Sequence, residues 1–141
     1  MNYDELTKAM MDNMFLKPRL FKHSQNISHG EMGILLYLSK VKDGVTPGEL
    51  SSKVNISTGR TAIALKNLEK KHYLTRHKDS DDARHVVVNI TEAGRLYEKE
   101  SSELVYKMTK KMLERLRVED AAEYVRLTSI LLGENKVKIN E

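Results

Sequence analysis

The sequence is constrained most by a series of signals typical of helix N-termini. Three pairs have the capping-box spacing, with Asn, Ser or Thr three residues before Glu: Asn2 and Glu5, Ser28 and Glu31, Thr46 and Glu49. In such a pair each side chain accepts a hydrogen bond from an otherwise unpaired backbone N–H. Pro47 suits the first helical position after Thr46, and Ser57 and Thr91 are further candidate caps. Five spaced caps predict a mainly helical chain.

Apolar residues follow these caps at helical spacing and predict the extent of each helix. After Asn2 the pattern is interrupted at Pro18, which should kink or end the first helix. The segment 28–41 is the most continuously apolar, and we expect it at the centre of the fold. Further helices are predicted over 47–54, 57–71, about 91–117 and about 119–132.

Two short segments between the fourth and fifth of these helices have the composition of strands. They are Tyr73 to Lys78 and His85 to Ile90, the second rich in β-branched residues. The polar residues 79–84 between them are typical of a turn. The sequence therefore predicts a β-hairpin with a charged tip.

The predicted helix 57–71 has two different faces. An apolar stripe at helical spacing should face inward: Thr61, Ala64, Leu65 and Leu68. The opposite side is small, basic and partly apolar: Gly59, Arg60, Ala62, Ile63, Lys66 and Asn67.

Length and composition exclude several classes of function. A chain of 141 residues is the size of one domain, and without Cys it can form no disulfide, thiolate metal site or cysteine nucleophile. It has neither a membrane-length apolar run nor a signal peptide, so we expect a cytoplasmic protein. Nucleophile-elbow, phosphate-loop and zinc-protease motifs are absent from the sequence, so we expect no catalytic site and no cofactor. His23, His29 and Glu31 lie near one another in the sequence, but no His-x3-His pair on a helix accompanies them. No metal site is predicted.

The net charge of +4 is concentrated in one third of the chain. Residues 53–85 contain eight Lys or Arg and four acids, whereas the bases and acids of the remainder balance. This basic segment coincides with a short capped helix, a turn, a second capped helix and the hairpin, which together make a winged helix-turn-helix candidate. The pattern favours binding to DNA, with the second helix in the major groove.

Several motifs resemble the MarR family of winged-helix transcriptional regulators. They are Leu50 to Ser57, Leu68 to Lys71, Leu74 to Arg76, Asp82-Ala83-Arg84, and the stretch from Val86 to Gly94. The resemblance spans nearly the whole chain and implies one MarR-like domain over 1–141. Its fold would be mainly α with a small β-hairpin wing: a winged helix-turn-helix at 28–94, flanked by dimerisation helices at 1–27 and 95–135. It also implies a homodimer on a pseudo-palindromic operator, most simply as a repressor, and a small-molecule effector that modulates DNA affinity.

The resemblance also implies roles for individual residues. The DNA-reading face of the recognition helix would consist of Ser57, Thr58, Gly59, Arg60, Ala62, Ile63 and Lys66. In the wing, Arg84 would enter the minor groove with Asp82 orienting it, and Arg76 and Lys78 would also bind DNA. Met10, Met14, Met32 and Met108 would line the effector pocket, although core packing explains these methionines as well. Two short segments depart from the family pattern: His72 and Tyr73 stand where Gly and an aliphatic residue are usual, and Arg117-Val118 replaces a Ser or Thr followed by Pro.

Alternatives remain for several of these assignments. Arg60 could pair with guanine or contact only phosphate, and Ile63 could touch a thymine methyl or be an ordinary exposed apolar residue. The winged helix could also serve protein binding, RNA binding or dimerisation without reading DNA. Such uses would not require an arginine at the wing tip together with small residues at the start of the recognition helix.

Overall fold

A computed structural model describes residues 2–8, 28–41, 44–131 and 133. The chain divides into two compact units, Met1–Ser101 and Ser102–Glu141. Residues 3–8 are helical. The remaining elements are, in chain order, α1 His29–Lys40, α2 Pro47–Val54, α3 Thr58–Lys70, β1 Leu74–Lys78, β2 Val86–Ile90, α4 Glu92–Leu113 and α5 Val118–Leu131. The predicted class, mainly helical with a hairpin wing, is confirmed.

The predicted caps begin the helices of the first unit. The side chains of Ser28, Thr46 and Ser57 each accept from the backbone N–H three residues on, at 3.2 Å. Asn2 and Glu5 form both bonds of a capping box, at 2.9 and 3.0 Å. These bonds satisfy donors that the first turn of a helix leaves unpaired, which fixes where each helix starts.

The core of the first unit lies where α1, α2 and α3 meet β1 and β2. Its buried apolar residues are Ile34, Leu35, Leu38, Val45, Leu50, Ala64, Leu65, Leu68, Leu74 and Val88. The central position predicted for the helix at 28–41 is confirmed by three of these residues. Leu36, by contrast, is exposed, because it points away from this stripe.

The hairpin is antiparallel, with Leu74 opposite Ile90 and Lys78 opposite Val86. Its other edge carries a contact that the sequence did not indicate. The N–H of Val45 donates to Val88 O at 3.0 Å, and the N–H of Val88 donates to Val45 O at 2.8 Å. Val88 is therefore held from both sides and fully buried, which ties the wing to the segment before α2.

The junction between α3, the hairpin and α4 is tightly packed. His72 has φ 62°, the left-handed conformation that a glycine adopts readily. Its carbonyl accepts from Thr91 Oγ1 at 2.6 Å. The rings of Tyr73 and Tyr97 stack with centroids 4.6 Å apart, and a Cβ on Gly94 would overlap the carbonyl oxygen of Tyr73. The start of α4 is thus fixed against the base of the wing.

Helix α4 ends earlier than predicted, since the sequence placed its end at about Arg117. Helix α4 ends at Leu113, and its last turn tightens, with the N–H of Leu116 donating to Leu113 O at 2.9 Å. Arg117 takes the place of the usual capping residue and donates through Nε to Asp120 Oδ2 at 3.2 Å. Helix α5 begins at the next residue, Val118.

Candidate nucleic-acid interface

The recognition helix α3 is held by the inward stripe predicted from its sequence. Thr61, Ala64, Leu65 and Leu68 are the buried residues of the helix. Thr61 Oγ1 donates to Ser57 O at 2.9 Å, so this polar group is buried with a partner. The opposite face is thereby left to solvent.

All residues predicted to read DNA from this helix are exposed: Ser57, Thr58, Gly59, Arg60, Ala62, Ile63 and Lys66. The side chain of Ile63 is 64% exposed. Nothing lies within 4 Å of a Cβ placed on Gly59, so the N-terminal turn presents an open backbone surface. Contact between these residues and DNA stays a prediction.

A cleft of about 390 Å³ separates the start of α1 from this helix. Its lining comes from both sides: Ser28, His29, Gly30, Glu31, Ile56, Arg60, Ile63 and Ala64. Arg60 and Ile63 therefore border α1 as well as the exposed face of α3.

The wing tip is ordered by contacts around Asp82. Nε and Nη2 of Arg84 donate to the two carboxylate oxygens, each at 3.1 Å, and the backbone N–H of Arg84 donates to Oδ1 at 3.0 Å. His85 Nδ1 lies 3.6 Å from Oδ2. These hydrogen bonds from Arg84 hold the pKa of the Asp82 carboxyl below its usual value. The Arg84 side chain is nevertheless 89% exposed.

Arg76 has a contact within the protein that the sequence-based assignment to DNA did not foresee. Its Nε and Nη2 donate to the carboxylate of Glu69 at 3.1 and 2.9 Å. The hydrogen bond lowers the pKa of Glu69 and raises that of Arg76. Arg76 thus ties β1 to α3. Lys78, the other predicted DNA-binding residue of β1, is exposed.

A buried acid is the feature that the sequence analysis missed. Glu31 is only 6% exposed. Its Oε1 accepts from Asn67 Nδ2 at 3.1 Å, and its Oε2 lies 3.6 Å from Lys71 Nζ. The spacing of Glu31 behind Ser28 identified a helix cap, and nothing in the sequence indicated a partner 36 positions away.

The predicted effector residues lie in different places. Met10 and Met14 fall outside the described residues, as do Pro18 and His23. Met32 is half-buried against the core of the first unit, and Met108 is half-buried in the second. The proposed effector pocket stays a prediction.

Within residues 2–8, 28–41, 44–131 and 133, no group of three or more His, Asp or Glu side chains is placed to hold a metal ion. No helix in these ranges is both long enough and apolar enough to span a membrane.

Many of the large apolar residues described in the second unit are exposed. Every residue of α5 is described, and none is buried. The large exposed apolar residues of this unit are Leu104, Val105, Tyr106, Leu116, Val118, Tyr124, Leu127, Ile130 and Leu131. An apolar cleft of about 350 Å³ lies among them, lined on one side by Tyr106 and Leu113 and on the other by Val118 and Ala121.

Comparison with known proteins is consistent with this architecture. A family of proteins described as the winged helix DNA-binding domain matches residues 31–110, more than half of the chain. The HTH-type transcriptional regulator YcgE of Bacillus subtilis (strain 168) is 43% identical over 44 residues. Those residues make up 31% of this chain, and they span only 29% of that relative.

Solved structures resemble the chain over nearly its full length. FabT of Streptococcus pneumoniae in complex with DNA is 25% identical, with a TM-score of 0.66 and 92% of each chain covered. MepR, a transcription regulator of the Staphylococcus aureus multidrug efflux pump MepA, is 18% identical, with a TM-score of 0.70 and coverage of 96% of this chain and 100% of that one. The chain therefore belongs to the winged helix DNA-binding domain family, and its predicted likeness to the MarR-type regulators is confirmed.

Proposed function

We propose that this protein regulates transcription, most simply as a repressor, by binding a pseudo-palindromic DNA site as a homodimer. Helix α3 occupies the major groove, and Arg84 enters the neighbouring minor groove. The observation that carries the proposal is the wing tip, where an almost fully exposed arginine is held in one orientation by two hydrogen bonds to Asp82.

This contact reduces the conformational entropy that Arg84 loses when it binds DNA. A free arginine must give up rotamer freedom when it enters a groove, and a side chain already held by a carboxylate has less to lose. A narrow minor groove concentrates negative potential, which attracts an arginine inserted into it. The wing arginine is therefore already oriented before the protein binds a polyanion.

The start of α3 supports the same function. Ser57, Thr58 and Gly59 are small and exposed, so the backbone of the first turn can come close to a phosphate or a base edge. Backbone N–H groups at a helix N-terminus attract phosphate oxygens. Ile63 adds an apolar surface that fits a thymine methyl, and Lys66 adds a cation on the same exposed side.

The exposed apolar residues of α5 and of the end of α4 support the homodimer. Val118 is 81% exposed and Leu131 is 77% exposed. Exposed apolar residues concentrated in this way on a folded chain are typical of an interaction site. A second copy supplies matching surface, and two copies present two recognition helices to a site of two-fold symmetry.

Modulation by a small molecule is part of the proposal, as is the absence of a catalytic role. A dimer whose recognition helices must match two half-sites is sensitive to small changes in their separation. A ligand that binds the dimer more tightly at one separation of the helices than at another changes the DNA affinity. The size of the change is set by the difference between its two binding free energies. A screen of a small-molecule library for compounds that displace bound DNA tests this part separately.

The decisive experiment is selection of bound duplexes from a random-sequence library, followed by fluorescence anisotropy on the selected site. We expect two half-sites about one helical turn apart, roughly 10 base pairs, and affinity that falls steeply with salt. If no duplex is enriched, the result favours the alternative, a winged helix that binds RNA or protein.

A further inference from the structure

The carboxylate of Glu31 is buried in the first unit, and the residue lines the same cleft as Arg60 and Ile63. It belongs to the first turn of α1, and its two oxygens contact Asn67 and Lys71 near the end of α3. Among the described buried side chains it is the one with an oxygen, Oε2, that accepts no hydrogen bond. The ion pair with Lys71 at 3.6 Å compensates that oxygen in part.

Asn67 and Lys71 share a ridge of the recognition helix with the predicted DNA-reading residues. Arg60, Ile63, Asn67 and Lys71 follow one another at helical spacing, so they lie along one side of α3 and its C-cap. The first half of this ridge is exposed and borders the cleft beside α1. The second half is tied to α1 through Glu31. Whatever fixes the second half therefore fixes the direction of the first.

Apolar packing decides which face of α3 is buried, but it sets the exact rotation of the helix less sharply than a directional contact does. The hydrophobic effect has no preferred direction, and two of the four inward residues, Thr61 and Ala64, are small. A hydrogen bond is directional, and it weakens steeply when its angle changes. An ion pair with one buried partner, such as Glu31 with Lys71, adds little net stability over an apolar pair of similar volume, so orientation is the effect to look for.

We propose that Glu31 is a positioning residue for DNA recognition. Through Asn67 and Lys71 it sets the rotation of α3 about its own axis, and thereby the direction in which Ile63 and Lys66 meet the bases and phosphates. This inference rests on the proposed function, because it concerns how the same helix discriminates between DNA sequences.

The test is the variant Glu31→Gln, with Glu69→Gln as its matched control. Both remove one negative charge and one ion pair that involves α3, but only Glu31 ties the helix to α1. The readout is the affinity for the duplex selected by the wild type, divided by the affinity for a scrambled duplex of equal composition. We expect this ratio to fall about tenfold in Glu31→Gln and to stay unchanged in Glu69→Gln.

A second variant guards against a simple folding defect. Asn67 is exposed on a helix, so Asn67→Ala keeps the helix and removes only the donor to Glu31. The ratio should fall in this variant too. In combination with Glu31→Ala, which also removes the acceptor that Glu31→Gln keeps, it should fall no further than in Glu31→Ala alone, because Asn67 acts through Glu31.

The outcomes separate the two proposals. A lower melting temperature with an unchanged ratio in Glu31→Gln would make Glu31 a structural residue and overturn the inference. Independent, additive losses in the double variant would also overturn it, since Asn67 would then touch DNA itself. A wild-type protein that selects no duplex would instead refute the proposed function.

Discussion

Arg84 and Asp82 form a two-point contact at the tip of the hairpin, with both N···O distances at 3.1 Å. The contact leaves the guanidinium in solvent and fixes its direction. Because exposed ion pairs add little to stability, this contact matters more for the direction of the side chain than for the fold.

The first prediction concerns Arg84→Ala. Loss of a groove contact of this strength should lower affinity for the selected DNA roughly 10- to 100-fold, as measured by fluorescence anisotropy. The matched control is Arg126→Ala, since Arg126 forms a similar two-point contact with Glu123 in the second unit, at 2.7 and 2.8 Å. Both variants should melt within a few degrees of the wild type. Equal DNA affinity in the two variants would contradict the role given to the wing.

The second prediction concerns the ionisation of Asp82. Hydrogen bonds from Arg84 lower its pKa, so the contact stabilises the wing at pH values above the ordinary Asp pKa and weakens as pH falls through the lowered one. Carboxyl-carbon NMR titration should show this pKa rising toward the ordinary value in Arg84→Gln. An unchanged Asp82 titration in that variant would show that the contact does not persist in solution. His85, whose Nδ1 lies 3.6 Å from the carboxylate in the wild type, is not substituted in the variant.

The third prediction contrasts two exposed residues of α3. Ile63→Asn should change the base preferred at one position of each half-site, as read by a repeated selection from the random library. Lys66→Ala should instead weaken binding to all sequences and reduce the slope of log affinity against log salt by about one. A uniform loss of affinity in Ile63→Asn, with the preferred sequence unchanged, would exclude the methyl contact.

The fourth prediction tests the homodimer. Leu131→Lys places a charge on the exposed apolar surface of α5, at the C-terminal end of the helix where a cation suits the helix dipole. The variant should keep its helical circular dichroism and sediment as a monomer at concentrations where the wild type is dimeric. Ile63→Asn, which removes an equally apolar exposed residue from the first unit, should remain dimeric. A monomeric wild type at micromolar concentration would refute the assembly.

The fifth prediction compares two glycines by their unfolding in urea. Gly94→Ala should destabilise the protein by about 1 to 3 kcal/mol, because its Cβ meets the Tyr73 carbonyl. Gly59→Ala should stabilise the free protein by roughly 0.4 to 1 kcal/mol, since its Cβ has open space and the unfolded chain loses freedom. A stable Gly94→Ala protein would show that the wing and α4 are less tightly joined than described.

Periodic features were predictable from the sequence, because the spacing of a repeating pattern indicates whether the segment is a helix or a strand and which face is buried. The 3.6-residue spacing of Thr61, Ala64, Leu65 and Leu68 identified the buried stripe of α3, and all four residues are buried. The caps similarly predicted the bounds of α2, which match residue for residue. In the wing, Asp82 is two residues before Arg84, close enough for the contact to be anticipated.

Contacts between distant residues were not predictable in this way. Glu31 has the spacing of a capping residue, and its hydrogen-bond partner Asn67 is 36 positions away, so only the fold brings the two together. Arg76 was counted among the DNA-binding cations because a sequence shows its charge but not its pairing with Glu69 across the turn from helix to strand. The β-bridge between Val45 and Val88 of β2 involves one residue on each side, so no repeating pattern in the sequence could indicate it.

The stacked rings of Tyr73 and Tyr97 give the protein an optical label at a useful place. The chain has no tryptophan, so its near-ultraviolet circular dichroism comes from phenylalanine and tyrosine. Two tyrosine rings 4.6 Å apart couple their transitions and add a signal that isolated rings lack. This pair joins the base of the wing to the long helix α4. Any movement between them, on binding DNA or a small molecule, can therefore be followed in the unlabelled wild-type protein.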